Sequence, residues 1–250
     1  MLRIYLAGEP CLLAGRTLFR ADRLPRRQGR VAFAYLMTER SRAVPRDELA
    51  GTLWPEGPPR AHEVAISSLA SKLRALLVDA GAQRDAIAVA DGCYRVELPP
   101  GTWIDTEAAH ASVHEAEAAL RSGVHAAAYG PAAVAAAILR RPFLAGIEGD
   151  WVERRRDALR GLLVRGLDVL ADVHAANREP TLAVCVAEQA VALEPYRESG
   201  YRRLMRLHDG AGDRAEALRV YQRCCRLLAD ELGTTPSPET DALMRTVGSR

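Results

Sequence analysis

Residues 60–79, RAHEVAISSLASKLRALLVD, and residues 86–98, AIAVADGCYRVEL, set the architecture of the first part of this chain. In the first stretch Ile66, Leu69, Leu73, Leu76 and Leu77 recur at three- and four-residue spacing, one stripe of a helix over residues 61–78. Ser67, Ser71 and Arg74 fall near the opposite side, with Glu63 and Ser68 flanking them. The second stretch alternates: Ile87 and Val89 lead to Ala90-Asp91-Gly92, and Tyr94, Val96 and Leu98 lead away. Asp-Gly between two alternating runs predicts a tight hairpin, because both residues tolerate the positive φ that such a turn demands. A helix and then a hairpin, after two shorter helices, is the element order of a winged helix-turn-helix.

Upstream, residues 2–20 read as short strands, LRIYLAG, CLLAGR and TLF, with glycines at the turns, which predicts a small antiparallel sheet. Residues 26–38, RRQGRVAFAYLMT, carry Val31, Ala34, Tyr35 and Met37-Thr38 at helical spacing. Pro45-Arg46-Asp47-Glu48-Leu49 opens a second helix, with proline at an allowed early position and acids that complement the positive helix end. That helix stops by Trp54-Pro55, and Glu56-Gly57-Pro58-Pro59 is a loop. Pro99-Pro100-Gly101 ends the unit, so the first domain is placed at 1–104 and the second at 105–250.

The second domain reads as helix throughout, in segments 106–121, 124–139, 150–176, 180–193, 197–210, 213–231 and 238–247. Ala183 aligns with Ala217, Val184 with Leu218, Ala187 with Tyr221 and Leu193 with Leu227, a period of 34 interrupted by Glu194-Pro195. Small residues alternating with bulky ones at that period are the tetratricopeptide signature. The expected fold class is mainly α with a small β component: a winged helix-turn-helix followed by an all-α, tetratricopeptide-like repeat domain. Tyr196, Tyr201 and Tyr221 suit packing within the repeats, and Trp54 and Trp151 suit core anchors.

Composition narrows the function. The longest unbroken apolar run, Ala132–Leu139, falls far short of the roughly 20 residues that span a bilayer. Met1-Leu2-Arg3 leads into a strand-like run, not the apolar stretch and cleavage site of a secretory signal. Cys11, Cys93 and Cys185 are scattered and Cys224-Cys225 are adjacent, a pattern of reduced, mostly packed thiols. The expectation is a cytoplasmic, nucleoid-associated protein with no membrane partner. No P-loop appears, since the only lysine, Lys72, stands in Ala70-Ser71-Lys72-Leu73. No Gly-x-Ser-x-Gly elbow and no His-Glu-x-x-His appear either. His110 and His114 have the i,i+4 spacing of a metal pair but no third ligand close in sequence. The chain is therefore expected to be no enzyme, with no cofactor and no metal site.

Net charge is only +2, but it is unevenly spread. Residues 1–104 carry 15 basic and 11 acidic side chains, against 19 and 21 in the remainder. Residues 23–46 alone hold seven arginines and one acid, Glu39. An electrostatic footprint for nucleic acid therefore lies in the first domain. A helix that enters the major groove needs an outer face short enough to approach and polar enough to bond base edges. Ser67, Ser68, Ser71 and Lys72 meet that need, and Arg74 could pair a guanine or a phosphate. Arg26, Arg27, Arg30, Arg42 and Arg46 suit phosphates, which fix docking without reading sequence. His62 at the helix start and Arg95 on the hairpin complete the candidate DNA-binding set. The same polar residues would also suit a solvated face, and it is the hairpin and element order that favour DNA. In the repeats, Arg197, Arg202, Arg203 and Arg206 form a candidate basic strip for a protein partner. The alternative from another class is a helical-repeat interaction scaffold whose winged helix is degenerate.

Several phrases resemble one known family: Leu53-Trp54-Pro55, Ser71-Lys72-Leu73-Arg74, Asp91-Gly92-Cys93-Tyr94-Arg95, Asp150-Trp151-Val152-Glu153, Leu193-Glu194-Pro195-Tyr196-Arg197-Glu198, and Leu232 through Thr240, LGTTPSPET. Together they are similar to regulators of the Streptomyces antibiotic regulatory protein type, which join a winged-helix DNA-binding domain to a bacterial transcriptional activator domain. The resemblance spans nearly the whole chain and implies a transcriptional activator that binds direct repeats in double-stranded promoter DNA and contacts RNA polymerase. It also implies a tetratricopeptide-like second domain for protein contacts, with a homodimer on DNA as one arrangement for direct repeats. The family pattern often carries arginine where this chain has Ser67, which leaves base reading to the serines and Lys72.

Overall fold

The computed structural model describes residues 1–248. In chain order it holds β1 (Leu2–Tyr5), β2 (Cys11–Ala14), β3 (Thr17–Phe19), α1 (Arg26–Thr38), β4 (Val44–Pro45), α2 (Arg46–Leu53), α3 (His62–Asp79), β5 (Ile87–Ala90), β6 (Cys93–Val96) and β7 (Trp103–Ile104). Helices α4 (Asp105–Arg121), α5 (His125–Leu139), α6 (Asp150–Ala176), α7 (Pro180–Leu193), α8 (Glu198–Gly210), α9 (Arg214–Leu232) and α10 (Pro238–Gly248) follow. The chain is thus mainly helical with a small sheet component. It divides into two compact units, one of residues 1–109 with 138–159, the other of residues 110–137 with the chain from 160 onward.

In the first unit β1, β2 and β3 form an antiparallel meander whose register sets Ile4 opposite Leu12 and Leu12 opposite Phe19. The inward positions of its strands, Leu2, Ile4, Leu12 and Phe19, are buried, as period-two alternation requires. The sheet is not purely antiparallel, as the sequence suggested. β7 joins its edge parallel to β1, with Arg3 opposite Trp103 and Ile4 opposite Ile104. Two residues carry no readable period, so this strand exists through its partner alone.

Directly after β7 the buried carboxylate of Asp105 accepts the backbone N–H groups of Leu6 at 2.9 Å, Ala7 at 3.0 Å and Thr106 at 2.8 Å. These bonds tie the end of β1 to the start of α4. Burial pushes the Asp105 carboxyl above its ordinary value, and the three N–H bonds oppose that rise without cancelling it.

Helix α1 is the centre of this unit, with every residue from Val31 to Met37 buried. A helix apolar on all sides is a core helix. Gly29 fits there because a Cβ would stand 2.6 Å from Cδ of Pro25. The Tyr35 ring lies 4.9 Å from that of Trp151, which meets Phe143 at 5.6 Å. Phe143 in turn bridges to Ala7 and Gly8, which is how residues 138–159 belong to this unit. Trp151 and Trp54 are half-buried.

The second sheet has three strands, in the order β4-β6-β5. Asp91 (φ 50°) and Gly92 (φ 73°) turn the hairpin with positive φ at both positions, the geometry Asp-Gly predicts. β4 pairs Val44 with Tyr94, and the Arg46 N–H donates to the Gly92 carbonyl at 2.9 Å, so the hairpin is fixed to the start of α2.

In the second unit α7 and α9 begin at 180 and 214, the spacing seen in the sequence repeat. The aligned Ala183 and Ala217 are fully buried, and Ala187 is buried with Val191, Tyr201, Leu204, Met205, Val220, Cys224 and Leu228 in one core cluster. Pro180 occupies the first turn of α7, Asp213 caps α9 through the Glu216 N–H at 3.3 Å, and Gly233 ends α9 with a φ of 62°. The Tyr221 hydroxyl donates to Asp241 at 2.8 Å. Tyr196, by contrast, is half exposed because it sits in the turn before α8 rather than on a packed face. Cys185 is likewise exposed, while Cys224 is buried and none of the five cysteines is bridged.

Candidate nucleic-acid interface

Helix α3 buries Ile66, Ala70, Leu73, Leu76 and Leu77. Its other side exposes Val64, Ser67, Ser68, Ser71, Lys72 and Ala75. At 100° per residue Val64, Ser68, Ser71 and Ala75 form the centre line of that strip, with Ser67 and Lys72 beside it. The Ser71 hydroxyl donates back to the Ser67 carbonyl at 2.9 Å, so it retains only acceptor capacity. The Ser67 and Ser68 hydroxyls and the Lys72 ammonium meet no partner among the described residues, and all three side chains are exposed. Val64 and Ala75 were not among the residues that sequence reasoning singled out. The apolar stripe marks the buried side of α3, and only the observed exposure reveals them.

Arg74 does not join that strip. Its Nε and Nη2 donate to the Ile87 carbonyl at 2.8 and 2.6 Å, which braces α3 against β5. Two of its donors are spent inside the fold, so the expected guanine fork is not presented. His62 Nδ1 lies 3.0 Å from the Pro59 carbonyl and serves the helix start. Arg95 is exposed on β6 between buried Tyr94 and Val96, as strand alternation dictates.

The arginine-rich segment is far less free than its composition suggests. Arg40 forms a bidentate pair with Glu107 at 2.7 Å. Arg42 pairs with Glu39 at 2.8 Å and with Glu48. Those two carboxylates raise the Arg42 pKa, bonding to Glu48 foremost, and Arg42 in return holds the Glu48 carboxyl below its ordinary value. Arg46 stands 3.6 Å from Glu63. Arg27 donates to the Glu148 carbonyl and lines a cleft with Trp54, Glu56, Glu148 and Asp150, acidic surroundings that suit no phosphate. Among the described residues only Arg23, Arg26 and Arg30 of the seven lack an acidic or carbonyl partner, and Arg30 is half-buried.

The candidate strip in the second unit is also largely committed. Arg197 bonds Asp168 at 2.7 and 3.1 Å, and Arg203 bonds Asp168 at 3.2 Å and also Asp172. Arg202 donates to Thr240 at 2.9 Å and lies 3.9 Å from Glu198. Arg206 alone is exposed. These three arginines therefore stitch α8 to α6 and α10, a structural use the sequence spacing could not show. The His110 and His114 rings lie tilted to one another with centroids 4.4 Å apart. Among the described residues no group of three or more potential ligands gathers, and no helix is long and apolar enough to cross a membrane.

Known proteins share this arrangement. The chain is 30% identical over 223 residues to the transcriptional regulatory protein EmbR of Mycobacterium tuberculosis, 86% of this chain and 55% of that one. It is 30% identical over 220 residues to the regulatory protein AfsR of Streptomyces coelicolor, 88% of this chain and 22% of AfsR. The transcriptional regulatory protein MoaR1 of Mycobacterium bovis matches at 29% over 225 residues, 86% of this chain and 70% of the relative. The chain thus spans about half the length of EmbR. A solved structure of M. tuberculosis EmbR in complex with a low-affinity phosphopeptide superposes with a TM-score of 0.89 at 27% identity, covering 98% of this chain and 64% of that one. The model of the bacterial transcriptional activator domain matches residues 104–247. The chain belongs to the family of transcriptional regulators that carry this domain, the Streptomyces antibiotic regulatory protein type, and not to a family of enzymes.

Proposed function

We propose that this chain regulates transcription by binding double-stranded promoter DNA through residues 1–104, acting as a winged helix, while residues 105–250 form a tetratricopeptide-like activator module that engages another protein. The observation that carries the proposal is the exposed strip of α3, with unpartnered Ser67, Ser68 and Lys72, beside a hairpin locked to the same helix by Arg74. In this arrangement α3 enters the major groove and the hairpin follows the neighbouring backbone. Ser67, Ser68, Ser71 and Lys72 meet bases, and Arg26, Arg30 and Arg95 supply phosphate contacts. Arg74, Arg46 and His62 support the geometry from behind, and Arg27 stays in its cleft. The family supports binding to direct repeats, as a pair of copies on one operator, and recruitment of RNA polymerase at the nucleoid.

The test is the salt dependence of duplex affinity, measured on the whole chain because residues 138–159 pack with the first unit. Contact with several phosphates costs orders of magnitude in affinity between about 50 and 200 mM salt. Arg95→Ala and Arg26→Ala should each flatten that slope by about one ion. No affinity for the chain's own upstream region at low salt would reject the proposal.

A further inference from the structure

Val64 stands out on α3. It is 73% exposed, more than any other large apolar side chain of the described residues except Met1. Packing does not explain a valine there, because nothing covers it. Helix propensity does not explain it either, since a β-branched residue loses rotamer freedom against the preceding turn. Its position is central: Ser68, Ser71 and Ala75 continue the same line at four, seven and eleven residues, and Val64 is the third residue of the helix. The N-terminal turn is the part of a recognition helix that meets base edges. The adjacent carboxylate, Glu63, faces Arg46 at 3.6 Å, which reduces its repulsion of a phosphate backbone.

Resting on the DNA-binding reading above, we propose that Val64 contacts the 5-methyl group of a thymine in the major groove, and so makes that base part of the operator. A valine side chain can neither donate nor accept, and the thymine methyl is the one apolar group the major groove displays. The rest of the strip fits this mode. Ser67 and Ser68 offer single hydrogen bonds rather than bidentate forks, and the only arginine of α3 has donors spent on Ile87. Discrimination at this step therefore comes from shape and methyl burial, with Lys72 left as the single long cation on the strip.

The experiment uses the whole chain and a random duplex library, selected at about 50 mM salt where phosphate contacts are strong. The best duplex is then resynthesised with each thymine in turn replaced by deoxyuridine, which differs only by the missing methyl. Wild type should show one position in each bound repeat where this weakens binding about fourfold, the worth of burying one methyl-sized group. Val64→Ala should weaken binding to the parent duplex by a similar factor for each bound copy and should be indifferent to deoxyuridine at that position. Val64→Thr, which keeps a methyl, should remain sensitive. Because Val64 is exposed, all variants should retain the wild-type helical signal and salt slope. If no thymine methyl matters, or if Val64→Ala stays as sensitive as wild type, the contact is wrong while DNA binding stands. If no duplex is enriched at all, the DNA-binding reading fails and takes this contact with it.

Discussion

Replacing Asp105 by alanine should cost the first unit about 3–5 kcal/mol. The carboxylate is fully buried and accepts three N–H groups at 2.8–3.0 Å, two of them from Leu6 and Ala7, which are themselves buried. Each buried donor left unpaired costs about 1–3 kcal/mol. The removed charge gives part of this back, because burial holds the carboxyl pKa above its ordinary value, so the ionised form is itself under strain. Asp105→Asn retains one acceptor oxygen and removes the charge, and should cost about half as much. The sign of the pH effect follows from the raised pKa. The folded state binds the proton more readily than the unfolded state, so this group's contribution is most favourable at low pH and declines as pH rises through the folded value. Asp105→Asn should lack that decline. The assay is convenient: Trp54, Trp103 and Trp151 all lie in the first unit, so tryptophan fluorescence in a urea titration reports on it alone. A loss below about 1 kcal/mol for alanine, or equal losses for alanine and asparagine, would refute the view that these three bonds hold β1 to α4.

Two further outcomes follow from side chains already described. Arg74→Met should release the hairpin from α3, costing about 1–2 kcal/mol of stability and weakening binding to all duplexes alike. Loss of discrimination at a single guanine in a competition assay would instead show that Arg74 reads a base. Glu198 accepts the Ser237 N–H and hydroxyl and the Thr240 hydroxyl. Burial pulls its pKa up, but the Thr240 and Ser237 bonds with the Arg202 charge outweigh burial and leave it lowered. Its contribution is therefore present above the ordinary value of 4.5 and lost as pH falls below it. Helical melting followed at pH 6 and about pH 3.5 should show a smaller acid loss in Glu198→Gln than in wild type, and equal losses would refute the role of these bonds.

Helix ends were legible because glycine and proline punctuate this chain: α6 and α7 fall at 150–176 and 180–193, as their patterns indicate. The hairpin was legible because Asp91-Gly92 leaves the backbone few alternatives. Contacts between distant residues were not legible. β7 has two residues and no period, and Asp105 meets Leu6 across 99 positions. The exposed serines of α3 follow from counting by 3.6, but the direction of Arg74 does not. Its long side chain reaches a carbonyl thirteen residues ahead, and spacing encodes no such choice. The arginine run misled for a related reason. Beyond Glu39 its acids come from elsewhere in the chain, Glu48, Glu63 and Glu107, so local composition overstated the free charge.

The brace from Arg74 has a consequence for how copies of this chain behave in a crowded solution. In the β5–β6 ladder Ala86 pairs by hydrogen bond with Glu97, so by antiparallel alternation the Ile87 carbonyl faces away from β6, along the sheet's open border. An unguarded border of that kind invites a strand from a neighbouring molecule. The guanidinium occupies that acceptor, and at the opposite border the two-residue β4 ends in Pro45, which has no N–H to offer. At each margin of the small sheet one main-chain group that an added strand would need is thereby taken or missing.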